Sequence, residues 1–141
     1  MEVFERVFWA FGPCIDGFKH CMPVICIDGT HLYGKYKGTL LVATSVDASF
    51  QVFPIAFAVV EGENTSSWSW FLGCIRDRVT QRDGLCVISD RHPGIIAAMR
   101  TCILRILSQA NYAMSNVIFN IVLCFAIEAM GLGAHPRRKT R

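Results

Sequence analysis

Residues 39–60 read TLLVATSVDASFQVFPIAFAVV and contain two apolar segments separated by a short polar turn. The first segment, 39–46, is followed by Asp47-Ala48-Ser49, a typical turn sequence. The second segment, 52–60, is apolar on both faces, as expected of a buried strand. Pro54 has no backbone N–H group, so we expect the edge of this strand to be locally unpaired. The stretch predicts two consecutive strands joined by a turn.

A further strand precedes this pair. Residues 22–27 form a short apolar run that ends at Asp28, and residues 34–38 have the composition of a turn. Three consecutive strands with short connections predict a meander. Residues 1–11 are apolar and predict the end of a preceding helical segment, which Gly12-Pro13 terminates.

The segment after the third strand has the pattern of a helix. Residues 64–67 supply N-cap candidates. Apolar side chains then follow at the spacing of one helix face: Trp68, Phe71, Leu72, Ile75 and Val79. Residues 85–89 predict a fourth strand ending at Asp90, and Pro93 suits the first position of another helix. The helix after the meander allows a right-handed crossover into the fourth strand.

Composition and charge restrict the function classes. The 141 residues are the length of one domain, and 52% apolar against 18% charged residues excludes a disordered or acidic chain. The net charge of +3 is uneven, because residues 1–100 sum to −1 and residues 101–141 to +4. The basic character therefore belongs to the tail, and charge alone does not indicate that the main body binds nucleic acid.

Cysteine and histidine spacing argues against a zinc site. The seven cysteines include no C-x-x-C pair, and the four histidines form no zinc-binding spacing with them. We therefore expect free thiols in a reducing compartment. Acidic residues near the N-terminus occupy the place of the basic region of a secretory signal, so no such signal is predicted.

Asp28 and Asp90 are the candidates for chemistry, because each is predicted to end an apolar strand. If the first and fourth strands are neighbours, the two carboxylates come side by side, and a divalent metal would relieve their repulsion. Two such metals can activate a water or a 3′-hydroxyl and stabilise a leaving oxygen. The alternative is that both are ordinary turn acids at strand ends, since Asp-Gly is a common turn sequence.

Four motifs occur in a characteristic order: IDGTHL at 27–32, GKYKG at 34–38, VEGEN with SWSWFL at 60–72, and ISDRHPGI at 88–95. With these motifs the chain resembles the plant Mutator-like element (MULE) transposase domain over about residues 8–100. The resemblance implies an α/β, RNase H-like fold, with residues 12–100 as its N-terminal part. The predicted meander, crossover helix and fourth strand fit the start of that fold.

The resemblance also implies chemistry. Asp28 and Asp90 would be the first two acids of a D-D-E catalytic and metal-binding triad that uses Mg²⁺ or Mn²⁺. The reaction class would be cleavage and strand transfer of DNA at transposon ends, in the nucleus. Candidate DNA or phosphate contacts near these acids are His31, Lys35, Lys37, Arg91 and His92. The alternatives are solvated turn lysines and a structural histidine at 31.

Residues 101–141 differ from the family pattern, and an apolar helical run there leads to a basic C-terminus. Glu128 is the only acid after Asp90, and its surroundings do not match those of the third family acid. The third acid is therefore unknown. We expect a fragment truncated after the second acid, with little or no activity, an incomplete sheet and a tendency to self-associate.

Two further functions stay open at this point. The chain could be a domesticated, non-catalytic DNA- or protein-interaction module of the transposase-derived transcription factor type. It could also be a membrane-tethered non-enzyme in which residues 112–130 span a bilayer. The internal Glu128 favours a buried helix over a spanning one.

Overall fold

The structure is a computed structural model that describes residues 5–82 and 84–109. In this part of the chain, five strands and three helices form a mixed α/β fold. The strands are β1 (Val7–Trp9), β2 (Val24–Leu32), β3 (Gly38–Val46), β4 (Val52–Val60) and β5 (Cys86–Ile88). The helices are α1 (Gly12–Phe18), α2 (Thr65–Arg78) and α3 (Pro93–Gln109).

The five strands form one sheet in the order β1-β4-β3-β2-β5. β2, β3 and β4 pair antiparallel in sequence order, which confirms the predicted meander. β5 follows α2 and pairs parallel with β2, which confirms the predicted crossover into the fourth strand. This crossover places β5 beside the first three residues of β2.

Period-two alternation decides which face of the meander is buried. In β3 every second residue is buried: Thr39, Leu41, Ala43 and Ser45. Polar members of this row are satisfied, since the Ser45 hydroxyl donates to the Val24 carbonyl at 2.6 Å. α2 and α3 pack on this face, and Trp68 and Phe71 of α2 are fully buried.

A β-bulge interrupts the pairing of β3 with β4 next to Pro54. Ala43 is opposite Ala56 and Thr44 is opposite Pro54, so Ile55 is the extra residue. β1 pairs only with residues 57–59, so its ladder stops short of Pro54. The proline lies where its missing N–H group costs no ladder hydrogen bond to β1, as the sequence predicts.

Helix α2 begins at a complete capping box. The Asn64 side chain accepts a hydrogen bond from the Ser67 amide at 2.9 Å, and the Ser67 hydroxyl accepts one from the Asn64 amide at 3.0 Å. Ser67 is fully buried, so these bonds satisfy it where water does not reach. The N-cap predicted within residues 64–67 is therefore Asn64.

The predicted helical end over residues 1–11 is wrong, because residues 7–9 form strand β1. Val7 pairs with Val59 and Trp9 with Phe57, and the two aromatic rings stack with centroids 5.6 Å apart. Pairing with β4 overrides local helical preference. Gly12-Pro13 begins α1 instead of ending a helix, since proline is well suited to the first helical turn.

The predicted end of the first strand at Asp28 is also wrong, because β2 continues to Leu32. Its antiparallel partner carries the ladder onward, with Asp28 opposite Val42 and Leu32 opposite Gly38. An exposed position on a half-buried strand admits an acid without ending the strand. Asp28 is therefore a mid-strand residue, and Asp90 lies two residues beyond the end of β5.

Among the described residues, no helix is both long and apolar enough to cross a bilayer. Residues 112–130, Glu128 and the basic C-terminus lie outside the described part of the chain.

Burial raises the pKa of the thiols of Cys21, Cys26 and Cys74.

Candidate functional site

Asp28 is placed by the alternation of β2. Its neighbour Ile27 is 3% exposed and faces the helices, so Asp28 points to the opposite face of the sheet. The side chain is exposed, and one carboxylate oxygen accepts a hydrogen bond from the Gly29 amide at 2.9 Å. Asp28 is thus an accessible acid in the middle of a strand.

Asp90 follows the strand that pairs with β2. Val24 pairs with Cys86 and Cys26 with Ile88, where the ladder ends, and each acid lies two residues beyond the last pair. The Asp90 carboxylate is exposed and accepts a hydrogen bond from the His92 amide at 3.1 Å. The two predicted acids therefore both follow the paired part of β2 and β5, at the same end of this ladder.

The donor chemistry of this pair suits a hard divalent cation. Mg²⁺ is commonly held through one or two carboxylates while it keeps several waters and takes oxygen from substrate phosphate. Within the described residues, no group of three or more histidine, cysteine or acidic side chains is arranged to hold a metal. Asp28 and Asp90 fit a hydrated ion bound through two carboxylates, and Glu128 lies outside the described residues.

Glu63 lies close to the segments that carry both predicted acids, which its position in the sequence does not indicate. Its side chain is only 13% exposed, and one carboxylate oxygen accepts a hydrogen bond from the Trp68 indole at 3.3 Å. The same oxygen lies 3.9 Å from His92 Nδ1. A Cβ atom added at Gly29 would lie 3.0 Å from the Glu63 carboxyl carbon. The only hint in the sequence is its place in the VEGEN motif before α2.

His92 is half-buried, and one of its ring nitrogens has a structural role. Its Nδ1 accepts a hydrogen bond from the Gly94 amide at 3.1 Å at the start of α3. Arg91 next to it is exposed. Both residues follow Asp90 directly, so the loop that carries the second acid also carries these two predicted contacts.

The other predicted contacts lie at the tip of the β2–β3 hairpin. Lys35 and Lys37 are exposed, and so are Tyr33 at 93% and Tyr36 at 79%. The Lys35 ammonium group lies 5.5 Å from the centre of the Tyr36 ring. Exposed aromatic and basic groups in one turn are suited to contact nucleic acid, by stacking and by charge.

His31 does not share a face with Asp28. It alternates with Thr30 along β2, and its Nδ1 lies 3.5 Å from the hydroxyl of Thr39. An open cavity of about 480 Å³ begins here, and Lys37 and Glu61 also line it. The structure therefore groups His31 with the hairpin and not with the acid pair.

Glu61, two residues before Glu63, has a different environment. Its carboxylate accepts two hydrogen bonds from Arg6, one of them at 2.8 Å from Nε. The Arg6 bond holds the pKa of Glu61 at about 2, below its ordinary value of 4.5. Arg6 also donates to the Ser66 carbonyl at 3.3 Å and lies over the Trp70 ring. Arg6 thus ties the residue before β1 to the residue after β4 and to the first turn of α2.

The comparison with known families agrees with the motifs. The family model of the MULE transposase domain matches residues 24–118, about two thirds of the chain. The chain therefore belongs to the MULE transposase domain family. The match begins later than the expected position 8 and extends beyond 100, so residues 101–118 lie inside it. No match was found among curated proteins or among solved structures.

Family membership carries a general statement of function. A MULE transposase domain indicates a transposase-related role, with DNA interaction and divalent metal use in general. This role agrees with the oxygen chemistry of the two exposed carboxylates.

Proposed function

We propose that the domain is the N-terminal part of an RNase H-like catalytic core of the DDE transposase type. Asp28 and Asp90 would be its first two acids, and transposon-end DNA in the nucleus its substrate. One observation carries the proposal: β2 pairs parallel with β5 up to Cys26 and Ile88, and each acid follows two residues after this last pair. Two neighbouring carboxylates repel unless a cation lies between them.

The proposed roles follow from exposure and position. Asp28 and Asp90 are both exposed, so both would be available to hold Mg²⁺ or Mn²⁺. When bound, such ions activate a water or 3′-hydroxyl and stabilise the leaving oxygen of a phosphodiester. Lys35 and Lys37 would contact DNA phosphates from the hairpin, while Arg91 and His92 would do so beside the acids. We expect cleavage to be weak or absent, since two carboxylates are all that the described residues contribute to this site.

The test is calorimetric titration of the whole chain with Mn²⁺ alone, followed by incubation with DNA that carries element ends. We expect weak Mn²⁺ binding that is lost in Asp28→Asn and in Asp90→Asn, because each change removes one charged ligand. Asp77→Asn is the matched control, since it removes the same charge from an exposed position on α2. Unchanged Mn²⁺ binding in both site variants would overturn the proposal.

The DNA incubation separates catalysis from binding. Strong metal-dependent cleavage that disappears in Asp28→Asn would show that our expectation of weak activity is wrong. Salt-dependent DNA binding without metal would instead favour the domesticated interaction module. The exposed Tyr33, Lys35, Tyr36 and Lys37 of the hairpin favour this second function, and their replacement by serine should abolish such binding.

A further inference from the structure

We propose that Glu63 is a positioning residue that sets the relative placement of Asp28 and Asp90. The inference rests on the proposed function, because it concerns the same acid pair. Glu63 lies in the connection between β4 and α2, which the sequence separates from both acids by more than twenty residues. Its carboxylate nevertheless contacts both segments that carry them.

The first contact is with strand β2 behind Asp28. A Cβ at Gly29 would lie 3.0 Å from the Glu63 carboxyl carbon and 3.1 and 3.2 Å from its two oxygens. A side chain at this position would therefore crowd the carboxylate, which would have to shift by a few tenths of an ångström. Because Gly29 and Asp28 alternate, Glu63 lies behind the strand and Asp28 in front of it. Glu63 is for this reason a support and not a third ligand.

The second contact is with the loop that carries Asp90. The Glu63 oxygen that accepts the Trp68 indole hydrogen lies 3.9 Å from His92 Nδ1. Because Nδ1 already accepts the Gly94 amide hydrogen, this approach is packing and not a hydrogen bond. The next residue, Asn64, packs equally closely against the start of α3, since a Cβ at Gly94 would lie 2.9 Å from the Asn64 carbonyl carbon. Residues 63–64 are thus wedged between β2 and the 90–94 loop, with a glycine on each side.

Residues 63–64 are held in place by hydrogen bonds to residues at the start of α2. Trp68 is fully buried, and its indole donates to Glu63. The capping box of Asn64 and Ser67 fixes the backbone that follows. A carboxylate that is only 13% exposed and held in this way has little freedom. It can therefore fix the position of the loop that carries Asp90 relative to strand β2.

The test compares Glu63→Ala, Glu63→Gln and Glu61→Ala by Mn²⁺ titration and by denaturant unfolding. Residues that orient metal ligands typically change metal affinity tenfold or more when removed, so we expect about a tenfold loss in Glu63→Ala. Glu63→Gln keeps the shape and the acceptor for Trp68, so it should retain most of the affinity. Glu61→Ala removes the same charge from the same loop without touching Gly29 or His92, and should bind Mn²⁺ as the wild type does.

Gly29→Ala provides an independent variant of the same contact. Its new Cβ should displace the Glu63 carboxylate and weaken Mn²⁺ binding. The additional loss should be much smaller in a Glu63→Ala background, where the space is free. This pair keeps the test decisive if Glu63→Ala folds poorly.

The outcomes separate the two proposals. If the wild type does not bind Mn²⁺ through Asp28 and Asp90, the proposed function fails and the positioning role fails with it. If it does bind and Glu63→Ala lowers stability but not affinity, Glu63 is merely structural. If Glu63→Gln loses as much affinity as Glu63→Ala, the negative charge and not the position matters. Either of the last two results overturns the inference alone.

Discussion

The two ends of the described sheet are formed by strands of equal length, but they differ in how the nearby charged side chains are paired. At the β1 end, Arg6 and Glu61 neutralise each other through direct hydrogen bonds. At the β5 end, Asp28 and Asp90 are both exposed and accept hydrogen bonds from backbone amides one and two residues further on. Matched charges at the first end serve stability, whereas unmatched acids at the second suit a ligand of opposite charge.

The largest expected effect comes from the core that both ends share. Phe71 is fully buried. The centre of its ring lies 5.9 Å from the ring centres of Phe8 in β1 and Trp68 in α2. Phe71→Ala should lower the free energy of unfolding by about 3–5 kcal/mol because it leaves a cavity. Phe50→Ala is the matched control, since Phe50 is 79% exposed, and it should cost less than about 0.5 kcal/mol. Equal losses in a denaturant melt would contradict the assignment of Phe71 to the core.

A smaller effect is expected from breaking the matched end alone. Arg6→Ala removes the Glu61 pair, the bond to the Ser66 carbonyl and the contact with the Trp70 ring. Because the pair is partly exposed, we expect a loss of about 1 kcal/mol. Mn²⁺ binding at the other end should be unchanged.

Arg78→Ala is the control for this change, since Arg78 is exposed at the last turn of α2 and its removal should leave the melt almost unaltered. A loss of Mn²⁺ affinity in Arg6→Ala would mean that the two ends are coupled and would remove the contrast between them.

The smallest expected effect is a pH dependence at the matched end. The Glu61 pKa of about 2 lies below its ordinary 4.5, so Glu61 stabilises the fold fully above about pH 4.5. This contribution is lost as the pH falls from there through 2. The free energy of unfolding should therefore fall between pH 6 and pH 2, and it should fall less steeply in Glu61→Gln. An equal fall in that variant would assign the acid sensitivity to other carboxylates.

Much of the sheet could be predicted from local patterns. The alternation of residues 39–46, the apolar run at 52–60 and the turn between them correspond to β3, β4 and their connection. The helical spacing from Trp68 corresponds to α2, because its buried face is continuous. Residues 7–9 were mispredicted, since three residues carry too little pattern to indicate a strand and their partner Val59 is fifty residues away.

The candidate site divides in the same way. Asp28 and Asp90 could be found because each follows an apolar run within a recognisable motif. Glu63 could not, because its importance depends on a missing side chain at Gly29 and on a histidine in a distant loop. Spacing along the chain contains no record of such contacts.

The amino-acid sequence by itself determined the meander, the crossover helix, the two acids and membership of the MULE transposase domain family. These features depend on periodicity and on short motifs, which are local. Only the tertiary structure decided that Asp28 lies in the middle of a strand, that β5 pairs parallel with the start of this strand, and that Glu63 lies against Gly29. The physical reason is that strand pairing and close packing join residues far apart in the chain, and their geometry exists only after folding.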